Sequence, residues 1–361
     1  MSTFNMFTVL GKDDKELVHS AFLCFALNKA LIKDMFDVDI DNPILHSEIN
    51  LKDHYGKLLK QDGEQEDDKQ RTRLDILIES KDKSQIIAIE NKFKAFPSEH
   101  QLQVYDKKLD RLTSKRIARI LLCFNAKYST SNNKWKVKTY EHVLNILNQH
   151  KHTFKGDELV LVNHYIAFLQ DYSTAYIRLH SQPTLLHSFL LGTAQDAAQD
   201  AAQELLIRQD LRNFWMDLLH SELEWVLARK RKDVFAFSRF QSTTHGINIT
   251  PKLQAWRNPQ HGEYVLQLQG RELKFYFHLN DSSWSEARKQ LEGVQRLLKK
   301  QPSVFAEAEF KSLNVNFGRK SCFVYREDLV SLLPPETFTL DNIAKYILCF
   351  YDKINNALGW K

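Results

Sequence analysis

Cysteine is scarce in this chain. The four cysteines, Cys24, Cys123, Cys322 and Cys349, form no CxxC pair, and each sits among apolar neighbours. That pattern argues against a zinc site and reads as buried free thiols in a reducing cytosol. The histidines are scattered, with no HExxH and no other paired metal-ligand spacing. Long apolar runs are missing as well: nothing reaches the roughly 18 residues needed to span a bilayer. The nearest, LVHSAFLCFALNKAL at 17–31, is interrupted by His19, Ser20 and Asn28 and reads as a packed helix. The N-terminal MSTFNMFTVLGKDDKE lacks a basic segment followed by an apolar one, so no signal peptide is expected. The expected setting is the cytoplasm, without membrane contact.

What is present is ordinary for a globular protein. Hydrophobic residues make up 43% and charged residues 26% of the 361, so a sizeable core is available and wholesale disorder is not expected. The length suits about two domains at roughly 150 residues each. A formal net charge of +5 permits a nucleic-acid partner without requiring one.

Periodicity divides the chain in two. Residues 12–35 read as one long helix with early acids (Asp13, Asp14, Glu16) that suit the helix dipole. Residues 44–60 are ambiguous, a helix end followed by a strand being one reading, and the acidic stretch 61–70 reads as an exposed loop. A hairpin at 73–93 is followed by a helix at 98–113 that opens on Ser98 and Glu99. Strands are expected at 116–126, buried on both faces, and at 134–140, then helices at 141–150 and 157–177. This order predicts an α/β domain over 1–180, a mixed sheet flanked by helices. The alanine-rich 194–204 reads as the entry to a helix reaching Arg231, within a helical connector at 181–232; a flexible linker is the alternative. Over 233–361, strands at VFAFSRF, GINITPKL, EYVLQLQ and ELKFYFHL, a helix at 283–301, further strands at 311–317 and 321–326 and a last helix at 340–357 predict an α+β domain with a largely antiparallel sheet.

Charges interrupt the hairpin RLDILIESKDKSQIIAIENKF. Strands select against aspartate, and buried carboxylates are costly without partners. With 81–84 as the loop, Ser80 faces Gln85 and Asp75 falls opposite Glu90. Period-two geometry then gathers Asp75, Leu77 and Glu79 with Glu90 and Lys92 on one face. The other face, with Leu74, Ile76, Ile78, Ile87 and Ile89, belongs to the core. Directly opposed acids lie about 4.5–5.5 Å apart and repel. A shared proton relieves this, and so does a divalent cation; oxygen donors suit Mg²⁺ or Mn²⁺.

Asp75 followed by a strand ending Glu90-Asn91-Lys92 is similar to the PD-(D/E)XK nuclease superfamily. RLDILIE with IIAIENKF resembles an uncharacterised bacterial branch that carries R-[IL]-D and IENK strings. Gln101 and Tyr105 match the QxxxY motif of RecB-type members, and i and i+4 lie on one helix face. The proline expected before the aspartate is replaced by Leu74. The resemblance implies a restriction-endonuclease-like fold and a metal-dependent phosphodiesterase. Asp75 and Glu90 would be metal ligands with the Asn91 main-chain carbonyl, Lys92 would position or activate water, and Gln101 and Tyr105 would support the site. Glu48 lies where relatives add an acid from an earlier helix. Arg71 and Arg73 either meet phosphate or balance the acidic loop at 61–68, and the run Lys107, Lys108, Arg111, Lys115, Arg116 and Arg119 either tracks a nucleic-acid backbone or forms a solvated face. The implied partner is nucleic acid, DNA favoured, with a homodimer or a partner subunit as further expectations and bacterial or phage defence or genome maintenance as the setting. The alternatives are a catalytically inactive nucleic-acid- or protein-binding module on the same fold, and a metal-dependent hydrolase with another substrate.

Overall fold

The computed structural model describes residues 5–9, 16–56, 73–93, 99–112, 115–124, 134–192, 204–206, 208, 211–231, 234–240, 245–258, 262–279, 284–302, 305, 315–316 and 321–360. The acidic stretch 61–70, Arg71, Ser98 and residues 194–203 lie outside them. The chain groups into two compact units, residues 1–174 with 200–205 and residues 175–199 with 206–361.

The first unit is built on a five-stranded mixed sheet. Its elements run α1 (Met6–Val9), α2 (Glu16–Ala26), α3 (Lys29–Phe36), β1 (Ile44–Asn50), α4 (Leu51–Tyr55), β2 (Arg73–Glu79), β3 (Gln85–Lys92), α5 (Glu99–Leu109), β4 (Arg116–Cys123), β5 (Lys136–Thr139), α6 (Tyr140–His150) and α7 (Gly156–Ser181), the last continuing into the second unit. The sheet order is β1-β2-β3-β4-β5. The first two pairings are antiparallel, the last two parallel.

Two readings change here. The long helix expected at 12–35 is two helices. Asn28 leaves helical geometry and its side chain accepts the Leu31 N–H at 3.1 Å, an N-cap that starts α3 afresh. At 44–60 the order is strand then helix, because β1 finds its ladder against β2.

Both faces of the sheet are buried, not only the one free of acids. On the acid-bearing face Leu77, Ile86, Ala88 and Leu121 pack with Leu102, Tyr105 and Leu109 of α5 and with Leu51 and Tyr55 of α4. On the opposite face Ile76, Ile78, Ile87 and Ile89 are buried. Beside them an aromatic cluster joins Phe93 to His19, Tyr140, Phe168 and Tyr172. Helices on both faces suit the parallel half of the sheet.

The second unit holds a seven-stranded antiparallel sheet. Its further elements are α8 (Pro183–Leu191), α9 (Arg212–Lys230), β6 (Phe235–Phe240), β7 (Gly246–Pro251), β8 (Arg257–Asn258), β9 (Gly262–Gln269), β10 (Glu272–Leu279), α10 (Trp284–Lys299), β11 (Val315–Asn316), β12 (Ser321–Asp328), α11 (Leu329–Leu332) and α12 (Leu340–Leu358). The order is β11-β12-β10-β9-β7-β6, with β8 pairing to β9. The strand aromatics Tyr264, Phe275 and Phe277 are buried and serve the core. Cysteine burial is less uniform than expected: Cys123 is buried, Cys24 half-buried and Cys349 exposed. Cys349 falls off the buried stripe of α12 formed by Ile343, Ile347, Phe350 and Ile354. No helix among the described residues is long and apolar enough to cross a membrane.

Candidate functional site

The hairpin has the register read from its sequence. Ile76 pairs with Ile89, Leu77 with Ala88 and Ile78 with Ile87, and the Ser80 N–H bonds the Gln85 carbonyl at 3.1 Å. Continued by one step, this register sets Asp75 opposite Glu90. The main-chain ladder stops before that step. Instead the Asp75 carboxylate accepts the Asn91 N–H at 2.6 Å, so a side chain replaces a ladder bond where the strands open. Lys92 Nζ lies 2.8 Å from Glu90 Oε1, on the same face. Gln101 Nε2 donates to that oxygen at 2.6 Å and contacts the Tyr105 hydroxyl at 3.3 Å. Tyr105 in turn donates to the Arg73 carbonyl at 2.6 Å. The QxxxY pair therefore braces Glu90 and the start of β2.

The acid that meets Lys92 from an earlier helix is Glu16, at 3.5 Å. Its sequence position suggested only a dipole role, and a 76-residue separation hid the contact. Glu48 sits on β1, not on a helix. The β1–β2 pairing skips it between Ser47 and Ile49, and its φ of +54° is left-handed. Non-glycine residues seldom adopt that conformation, and strain of this kind gathers at functional sites. Glu48 holds Arg73 Nε at 2.7 Å, which takes Arg73 up in an ion pair. Nearby, burial first and the Glu48 charge second push the Cys24 thiol up to about 11, so it is no thiolate nucleophile.

Electrostatics mark the same spot. Burial, then the Glu90 charge, pushes Asp75 from 3.8 to about 8. Glu90 is only 1% exposed, and burial raises its pKa too, against the pull of Lys92. Burial alone would lower Lys92; Glu90, Glu16 and Asp75 more than offset it and hold the ammonium above its ordinary value. Glu48 is raised by burial, with Arg73 and Lys92 opposing.

The donor set fits a hard divalent cation. Glu90 Oε2 is buried and accepts no hydrogen bond from a described residue. One of these confined carboxylates has an idle oxygen and the other is driven to keep its proton, so Lys92 alone does not balance the pair. One or two carboxylates with solvent or carbonyl oxygens are a usual Mg²⁺ complement. No third acid or histidine among the described residues closes a compact side-chain triad with Asp75 and Glu90. Glu48 stays with Arg73.

Asn91 points the other way. Its fully buried amide donates to Ser20 Oγ at 2.9 Å and to the Glu16 carbonyl at 3.2 Å, and accepts from the Tyr140 hydroxyl. It ties β3 to α2 and α6, and through Glu16 it fixes the helix end that meets Lys92. Asn91→Ala would strand these buried partners and is expected to cost about 3 kcal/mol in urea unfolding. A loss under about 1 kcal/mol would mean that solvent replaces the amide. The basic run does not form one free face: Lys108 is buried, and Arg119 pairs with Asp106 and Asp110 at 2.9 and 2.5 Å.

A second cluster escaped the sequence reading. His46 on β1 and His54 on α4 converge on Glu79 of β2, the one such group of three potential metal ligands among the described residues. Burial pushes Glu79 up, but hydrogen bonds from Tyr55 and His54 outweigh it and hold the carboxyl below its ordinary value. An eight-residue spacing across a strand-to-helix junction matches no local metal motif, so only the fold unites the pair.

Residues 4–170 match the family model of the PD-(D/E)XK nuclease superfamily. No curated protein and no solved structure matches the chain.

Proposed function

Because residues 4–170 form a domain of the PD-(D/E)XK nuclease superfamily, we propose that this protein is a divalent-metal-dependent nuclease that hydrolyses phosphodiester bonds, with DNA as the favoured substrate. The observation that carries this reading is the convergence of Asp75, Glu90 and Lys92 where the hairpin opens. Asp75 and Glu90, with the Asn91 carbonyl, would hold Mg²⁺ or Mn²⁺. When bound there, the ion supplies positive charge to phosphate oxygens and acidifies a water.

The chain's own residues do the rest. Lys92 is gripped by Glu90 and Glu16 and keeps its proton at neutral pH, so it is not a general base. Its work is to orient the attacking water and to offset charge that develops on the phosphate. Gln101 fixes the Glu90 carboxylate, and Tyr105 fixes the backbone beside Asp75. A preorganised charge of this kind costs little rearrangement during the reaction. A role in bacterial defence or genome maintenance accords with such an activity.

The test is cleavage of labelled single- and double-stranded DNA and RNA with Mg²⁺, Mn²⁺ or EDTA, wild type beside Lys92→Ala. Metal-dependent cleavage that falls by about 10²–10³-fold in Lys92→Ala is expected, the scale of losing one preorganised charge partner. Equal cleavage by both proteins would remove Lys92 from the mechanism. Nucleic acid that binds without being cut in any metal would replace the nuclease with a binding module.

A further inference from the structure

We propose that His46, His54 and Glu79 form a separate binding site for a transition-metal ion of the zinc class. The three ligands come from three elements. His54 Nε2 lies 2.6 Å from Glu79 Oε2, and His46 Nε2 lies 3.6 Å from the same oxygen. All three candidate donor atoms fall within 4.8 Å of one another. The His46 contact is too long for a hydrogen bond, yet its nitrogen stays within 4.8 Å of both other donors, a span that one ion can bridge. Two imidazoles and a carboxylate suit Zn²⁺, whose Zn–N and Zn–O bonds of about 2.0–2.2 Å call for donors about 3.3 Å apart in a tetrahedron. Small movements of His46 and His54 supply that.

The surroundings are those of a built site. The Glu79 side chain is 2% exposed. Its other oxygen accepts the Tyr55 hydroxyl at 2.7 Å, the outer contact that orients a ligating carboxylate. The side chains of His46 and His54 are 31% and 18% exposed, so solvent reaches the ligand side and can fill a fourth position.

This is not the Asp75–Glu90 position. Glu79 lies four residues along β2 from Asp75, about 13 Å at strand rise. The ligand types differ as well: imidazole nitrogens select zinc-class ions, whereas oxygen-only donors select Mg²⁺. The ion would pin the edge strand β1 and the short helix α4 to β2. His46 shares β1 with the strained Glu48, so the clamp acts on the strand that carries that acid. It does not depend on the nuclease reading.

The experiment uses the full-length protein stripped with EDTA and dialysed. Zn²⁺ is titrated by calorimetry, Co²⁺ is followed by its visible absorption, and melting is recorded with and without Zn²⁺. Wild type is expected to bind one Zn²⁺ here, to give a tetrahedral Co²⁺ spectrum and to melt higher with Zn²⁺. Asp75→Asn should keep all three signals. His46→Ala and His54→Ala should each lose the spectrum and the thermal gain; His46→Ala should melt like wild type in EDTA, whereas His54→Ala also gives up its 2.6 Å bond to the buried Glu79 and should melt lower. Tyr55→Phe should bind about 10–100-fold more weakly. The site is overturned if wild type shows no such spectrum, or if the signals survive in both histidine variants. His46 is half-exposed, so loss of fold does not confound its variant.

Discussion

Asp75→Asn is expected to stabilise the metal-free protein and to abolish cleavage. The two effects have one cause. Asp75 stands opposite Glu90 in a confined space, and burial with that neighbouring charge lifts its pKa from 3.8 to about 8. A carboxyl raised on folding binds a proton that the unfolded chain has shed. Stability therefore falls as pH rises from about 4 to about 8, because the native state holds more protons across that window. The rise sets a ceiling of about 6 kcal/mol on the cost of ionising Asp75 in the metal-free fold. Asparagine cannot ionise, and its carbonyl can still accept the Asn91 N–H. In EDTA at pH 8 the variant should melt above wild type, and the gap should close as pH falls towards 4. With Mg²⁺ the order should narrow or reverse, since only wild type has the full donor set. Cleavage should drop to background at every pH. A variant that melts below wild type at pH 8 in EDTA would show that the carboxylate is stabilising where it stands.

The site's central geometry was legible in the sequence because it is local. The turn SKDKS and the alternation on each side leave one sensible register, and a one-residue slip would reverse every side chain. The second unit's strands were legible for the same reason: β6, β7, β9 and β10 follow period-two runs with short connections. Tertiary features were hidden. Nothing near Asp75 announces that α5 buries the acid face, and that burial is what raises the acids. Glu16 reaches Lys92, and His46 meets His54, only after the chain has returned on itself. The break at Asn28 had a signal, a capping residue inside an apolar run, but the length of the run outweighed it. At 44–60 apolar and polar residues do not separate by either period, so the strand had to be decided by its partner, β2.

The largest loss of stability is expected in the second unit, from one methyl group. Gly262 opens β9 with φ at +150°, a conformation that side chains rarely enter. A Cβ there would stand 1.8 Å from the His278 carbonyl oxygen, and 2.9 Å from both the His278 carbonyl carbon and the Phe277 ring. The oxygen belongs to the backbone of β10, which pairs with β9 from Gly262 to Gln269. The Phe277 ring is fully buried. Neither neighbour can swing aside as the end of a flexible side chain would. Gly262→Ala should therefore combine backbone strain of about 1–3 kcal/mol with an overpacking cost of similar size, about 4 kcal/mol in all. Gly56→Ala is the control. Its φ is +51°, also left-handed, but a Cβ there meets nothing within 4 Å. It should cost only about 1–2 kcal/mol, the conformational penalty alone. Urea unfolding of the two variants separates the causes, because both lose the freedom of glycine and only one drives a methyl into a paired strand. Equal losses would mean that β9 and β10 part to admit the methyl, and that their pairing at Gly262 is loose.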